Sequence, residues 1–166
     1  MESIGIGTIK ITSGRVVVSD PCYERDSWCA GAIENFPNGE YDCEVDVGIA
    51  GRWGKRVFRM RMLKQGLNLS QCEFRHSDVL PVDCALMGFF DDAYHQETHP
   101  GKVSDEWYEA NEMQLEEDAS IVDDRCFLSS TGLGDGLYDV YELYDAYDNL
   151  VGIEAQFLTD EDEKQQ

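Results

Sequence analysis

Residues 40–63, EYDCEVDVGIAGRWGKRVFRMRML, alternate charge with apolar side chains on both sides of a glycine-bounded turn, Gly51-Arg52-Trp53-Gly54. On the first arm Glu40, Asp42, Glu44 and Asp46 fall on one face and Tyr41, Cys43, Val45 and Val47 on the other, the period-2 signature of a strand. Folding the arms back so that Ala50 faces Lys55 sets Asp46 opposite Arg59 and Glu44 opposite Arg61. The same register sets Val47 against Phe58, Val45 against Met60 and Cys43 against Met62. A slip of one residue would press carboxylates against Phe58 and Met60, so charge and core specify one pairing. The stretch is predicted to be a β-hairpin.

The flanking sequence continues in short strands. Ile4 to Ile11 and Arg15 to Ser19 read as two strands around the hairpin-type turn Thr12-Ser13-Gly14, and Asp20-Pro21 stops the second. Cys22 to Asn38 has no clean period, with Trp28, Ile33 and Phe36 as candidate core anchors. After Leu63, QGLNLSQCEFRHSD reads mostly as loop. Asp78 to Phe90 returns to strand character, with Pro81 marking an edge or a bend. A helical turn fits between Phe90 and Pro100. Ser104 is an N-cap for a helix running to about Glu117, with Asp105 and Glu106 in its first turn. Trp107, Tyr108, Ala110 and Leu115 supply its packing surface.

The chain closes with strands at Cys126 to Ser130, Leu137 to Tyr144 and Leu150 to Leu158. Val151, Ile153, Ala155 and Phe157 form the inward face of the last. Two registers remain open for the final pair, one setting Glu142 against Ile153 and the other Asp139 against Phe157. Seven to nine strands and one helix predict a mainly β fold, an antiparallel β-sandwich or curled sheet with one inserted acidic α-helix at about 104–117. Residues 1–158 read as a single β-rich domain and 159–166 as a solvated acidic tail.

The chain of 166 residues carries 34 acids and 13 bases, a formal charge of −21. Such a field repels nucleic acid and anionic membranes and favours basic protein surfaces. Six of the 13 bases (Arg52, Lys55, Arg56, Arg59, Arg61, Lys64) belong to the hairpin, several with carboxylates opposite. From Val103 onwards only Arg125 and Lys164 are basic, against 19 acids, so the C-terminal third should carry the strongest negative field. No signal peptide or transmembrane stretch is evident, and a cytoplasmic setting is expected. The six cysteines include no CxxC pair and are expected to be reduced and mostly buried.

Three stretches, SGRVVVSDPCY (Ser13 to Tyr23), LPVDCALMGFFDD (Leu80 to Asp92) and STGLGDGLYDVYELYDAYDNLVGIEAQF (Ser130 to Phe157), resemble the bacterial and bacteriophage proteins grouped as domain of unknown function 4241. The resemblance implies provenance in bacteria or their phages, hence the cytoplasm of a host cell, and no residue roles.

Several site candidates stand beside ordinary structural readings. In FDDAYHQETHP, a helix would place Asp91, His95 and His99 along one side as ligands for a divalent metal such as zinc. The outer pair would be some 12 Å apart, so one ion could not take all three without a bend. HExxH is absent. Gly132-Leu133-Gly134-Asp135-Gly136 lacks the spacing and lysine of a phosphate loop and reads as a turn. Cys22 or Cys126 with His76 or His95 would be a thiol–imidazole pair, but nothing nearby marks an activated thiolate. The carboxylates Asp105, Glu109, Glu112, Glu116 and Glu117, with Trp107 and the group Asp139, Tyr141, Glu142 and Tyr144, offer steering charges and amphipathic anchors for a partner. Acidic rows recur at about 6 to 7 Å on helices and strands, comparable to a polyphosphate.

The leading expectation is a non-enzymatic acidic protein without a cofactor. It would bind a basic, nucleic-acid-binding protein, inhibit it, and touch neither nucleic acid nor membrane. The alternative is a small metal-dependent enzyme or ligand-binding domain using Asp91, His95 and His99. A structural β module is the third.

Overall fold

In the computed structural model, which describes residues 1–100, 105–115 and 117–163, the hairpin forms as the sequence requires. Its arms are β4 (Gly39–Ile49) and β5 (Lys55–Lys64), which follow β1 (Glu2–Ile11), β2 (Val16–Ser19) and β3 (Ala30–Ile33). Cys43 faces Met62, Glu44 faces Arg61, Val45 faces Met60 and Asp46 faces Arg59. Nearer the turn the expected pairing shifts: Val47 meets Val57 rather than Phe58, and Ile49 rather than Ala50 faces Lys55. The bulge leaves the Phe58 carbonyl free of the β4 ladder, and it accepts the N–H groups of Phe157 (2.8 Å) and Leu158 (3.2 Å) instead.

The remaining elements are β6 (Glu73–Val82), β7 (Leu86–Asp91), α1 (Asp92–Thr98), α2 (Asp105–Ala110), α3 (Glu112–Leu115), β8 (Ala119–Val122), β9 (Cys126–Ser130), β10 (Gly136–Tyr144), β11 (Leu150–Gln156) and α4 (Asp160–Glu163). A six-stranded antiparallel sheet, in the order β1-β4-β5-β11-β10-β6, faces a five-stranded one, β3-β2-β7-β9-β8. This is the mainly β, sandwich-type architecture expected. Ile9, Tyr41, Val45, Met60, Met62 and Ile153 of the first sheet meet Val16, Val18, Met87, Phe89 and Phe127 of the second. Alternation then turns Val17, Phe90, Cys126 and Leu128 to the outer face of the five-stranded sheet, where Tyr94, Trp107 and Leu115 cover them.

Several local expectations are corrected. β1 and β2 do not pair; β1 lies against β4, and β2 between β3 and β7. The Thr12–Gly14 link crosses between sheets because the buried Asp91 carboxylate accepts the N–H groups of Thr12 (3.3 Å) and Ser13 (3.2 Å). Trp28 is 63% exposed, whereas Ile33 and Phe36 are buried as expected. The segment EFRHSD is not loop but the first half of β6, an edge strand in which Pro81 is tolerated. In the final pair Glu142 faces Ile153 and Asp139 faces Gln156.

The single helix is replaced by α2 and α3, divided at Asn111, whose side-chain amide donates to the Trp107 carbonyl (2.8 Å) and competes with the helical ladder. Ser104 and Glu116 lie outside the described residues. The acidic tail is partly built in: Thr159 N–H bonds Asp162 (2.7 Å) at the start of α4, and Asp160 pairs with Arg59 of β5.

Candidate functional site

The five-stranded sheet presents an apolar outer face, and α1 to α3 exist to cover it. Trp107 points inward at 7% exposure and donates its indole N–H to Tyr94 Oη (2.8 Å), which in turn donates to Asp123 (2.8 Å). Trp107 is thus part of the core and not a free anchor for a partner. With Trp107 and Leu115 turned in, Glu106, Glu109, Glu112 and Glu117 are exposed. Among the described residues none of these four is ion-paired. The Asp105 side chain and Glu116 lie outside the described residues.

Among the described residues, Arg15, Arg25 and Arg125 on this side of the molecule are already engaged. Arg125 binds Asp91, and Arg15 (2.7 Å) and Arg25 converge on Asp92 at the start of α1. Burial alone would raise the Asp92 carboxyl, but bonds from Arg25 and Arg15 hold it below the usual range. Glu44 and Asp46 of the hairpin are similarly spent: Arg61 binds both, at 2.6 and 2.8 Å, together with Glu154 of β11. The helix carboxylates therefore retain their field.

The second half of the expected interaction surface lies elsewhere. Asp139, Tyr141, Glu142 and Tyr144 belong to β10 in the six-stranded sheet, whereas the helices cover the five-stranded one. They are occupied by the edge strand β6: Asp139 bonds His76 (2.9 Å), Tyr141 packs edge-on to Phe74 and His76, and Arg75 stacks 3.8 Å over Tyr144. Tyr144 Oη donates to Glu142 (2.9 Å). The acidic helices and the tyrosine group form two surfaces, not one.

Asp91, His95 and His99 do not converge as a metal site. Asp91 accepts from both backbone and side chain of Thr12 and Ser13 and pairs with Arg125. The two imidazoles lie stacked, centroids 4.6 Å apart and planes 6° apart, between Phe90 and Trp107. Ring-nitrogen lone pairs lie in the ring plane, so parallel rings aim past each other. His99 Nε2 donates to the Pro21 carbonyl (2.9 Å), and His95 Nδ1 faces the Arg25 guanidinium (3.2 Å). Burial, with His99 and Arg25 adding to it, pushes His95 down to about 3; burial also lowers His99. These are neutral core histidines.

The other sequence candidates fall out on the same grounds. Cys126 is fully buried in the apolar layer and its thiol is pushed well up by burial, while His76 sits on the other sheet. Gly132 and Gly134 adopt positive φ in a turn whose Gly134 carbonyl accepts from Thr131 (2.6 Å) and Tyr138. The side chains that do converge with metal-type donors, among the described residues, are Asp20, Cys22 and Cys84. Asp20-Pro21 read only as a strand terminator, and Cys22 and Cys84 are far apart in the chain, so no local spacing announced the group.

Comparison with known proteins finds no matching family model, no matching curated protein and no matching solved structure.

Proposed function

We propose that this protein is a non-enzymatic docking protein whose α2–α3 face engages a basic surface on a partner protein and obstructs it. The observation that carries the reading is the set of exposed carboxylates Glu106, Glu109, Glu112 and Glu117, without ion pairs among the described residues, on a chain of net charge −21. Unpaired charge on one side of a molecule raises encounter rates with a complementary surface, steeply at low ionic strength. A nucleic-acid-binding surface is the fitting class of partner, because helical carboxylates at about 6 Å intervals repeat much as phosphates do. An origin in bacteria or their phages, as the resemblance in the sequence implies, would make a host or defence protein the natural target.

The test is capture from bacterial lysate at low and at moderate salt, with wild type and with E106K/E109K. Both substitutions are on exposed positions, so the melting temperature should be unchanged. A near-stoichiometric nucleic-acid-binding protein, weakened by salt and lost with E106K/E109K, is the expected result. Identical capture by both forms, or none by either, overturns the reading.

A further inference from the structure

β2 ends at Ser19, and Asp20-Pro21 turns the chain towards the β6–β7 connection. There the fully buried Asp20 carboxylate is fixed by three backbone donors: Cys22 N–H on Oδ1 (2.9 Å), and Asp83 (2.8 Å) and Cys84 (2.9 Å) on Oδ2. The Cys84 thiol donates to Oδ1 at 2.7 Å. One donor atom from each of Asp20, Cys22 and Cys84 lies within 4.8 Å of the others. Ala85, next in the chain, is held at φ +59° by N–H donation to Asp135 (2.9 Å), which fixes the turn presenting Cys84. Both cysteines are partly buried, and they line a cavity of about 330 Å³ whose wall also includes Tyr108, Glu112, Glu117 and Asp118.

We propose that Asp20, Cys22 and Cys84 form a three-ligand site for a borderline-soft divalent cation of the zinc class, with its fourth position open to the carboxylate-lined cavity. The donor set is of the right kind: two sulfurs and one carboxylate oxygen suit zinc, and three protein ligands with one open position is its reactive arrangement. The spacing is within reach as well. Bonds of about 2.0 to 2.3 Å give a tetrahedron with edges of about 3.3 to 3.8 Å, so the 2.7 Å separation of Cys84 Sγ from Asp20 Oδ1 would open and any wider donor separation close, each by up to about an ångström. The backbone N–H groups on Asp20 supply the outer contacts that orient a ligating carboxylate.

Cys22, burial and Asp20 together push the Cys84 thiol up, because a thiolate there would face a second sulfur and a carboxylate. A divalent ion takes the protons' place: two S–H bonds break, two metal–sulfur bonds form, and two protons leave to water. No electrons are transferred. The acidic cavity wall concentrates cations at the opening.

The experiment is a titration of reduced, untagged protein with Co²⁺, read as sulfur-to-metal charge-transfer absorption. The expected result is saturation at one equivalent per chain, displacement by Zn²⁺, and weaker binding as pH falls. C22S and C84S should each lose the band, and C72S, altered at a thiol beside the other sheet, should keep it. E106K/E109K should also keep it, which separates this site from the docking face. Absence of the band in folded wild type, or its persistence in C22S and C84S, overturns the proposal. So does a Cys22–Cys84 disulfide, seen by mass, that forms on exposure to oxidised glutathione as readily with Zn²⁺ as without it.

Discussion

Arg61 of β5 and Glu154 of β11 form an ion pair in which each side chain is 2% exposed. Arg61 also binds Asp46 and Glu44, while Asp46 takes further bonds from Arg59 (3.3 Å) and Ser3 (2.6 Å). Removing this buried cation would strand Glu154 without a counter-charge and leave Asp46 only Arg59. Arg61→Met should therefore lower stability by about 3–5 kcal/mol, the range for breaking a buried pair from one side. Urea denaturation measures it, and a loss under about 1 kcal/mol would show that water reaches the freed carboxylates.

Stability should fall as solutions are acidified, in two stages. An unfolded histidine protonates near pH 6.5, but folded His95 resists protonation down to about pH 3 and His99 is also depressed. Between those values the unfolded chain binds protons that the folded chain refuses. The contribution is thus full above about pH 6.5 and is lost as pH falls, at up to about 1.4 kcal/mol per unit for each histidine. Below about pH 4 the carboxylates add to the loss. Burial would raise Asp46 and Asp91, yet hydrogen bonds, chiefly from Arg61 and Ser13 respectively, hold both below the ordinary range. Their contribution is present above the unfolded value and disappears through the folded one. His95→Phe should flatten the urea midpoint between about pH 6.5 and 4 while leaving the lower limb in place; a wild-type midpoint that is level from pH 7 to 5 would refute the assignment.

The hairpin was legible because two constraints agreed: Glu44 and Asp46 of β4 found Arg61 and Arg59 in the register that also closed the core. The Phe58 bulge was not, since its cause is the chain leaving β11, about 100 residues away. The first half of β6 was missed because an edge strand shows little burial; Glu73, Phe74, His76 and Ser77 are all exposed, so no apolar alternation marks it. β3 and β8 are four residues each, too short for a period to show. At the sites, composition identified the acidic helices but not which face Trp107 turns inward. The helical spacing of His95 and His99 is real, yet the Phe90 and Trp107 rings around them make it a packing motif.

The Trp107–Tyr94–Asp123 chain ties the helix layer to the β8–β9 turn, where Asp123 holds φ +52°. Tyr94→Phe would keep the ring and remove the acceptor beneath the indole N–H. The expected cost is about 1–3 kcal/mol, and Trp107→Ala, which empties the pocket under α2, should cost about 3–5 kcal/mol. Chemical denaturation followed by tryptophan fluorescence reads Tyr94→Phe; circular dichroism reads Trp107→Ala. If Trp107→Ala left stability intact while abolishing partner capture, its placement in the core would be wrong.

Gly152 lies in β11 opposite Leu63 of β5 and Leu143 of β10. A Cβ there would sit 2.4 Å from the Met62 carbonyl oxygen and 3.2 Å from the Leu63 Cα, and backbone atoms of a central ladder have nowhere to move. Gly152→Ala should cost about 1–3 kcal/mol or more by overpacking. Gly5, beside the β1 bulge, has open space where its Cβ would go. Gly5→Ala should be neutral or add about 0.4–1 kcal/mol, because alanine restricts the unfolded chain without meeting a neighbour. Thermal melts of the two variants give opposite signs if β11 is central and β1 an edge. Equal effects would place the strands in a different order.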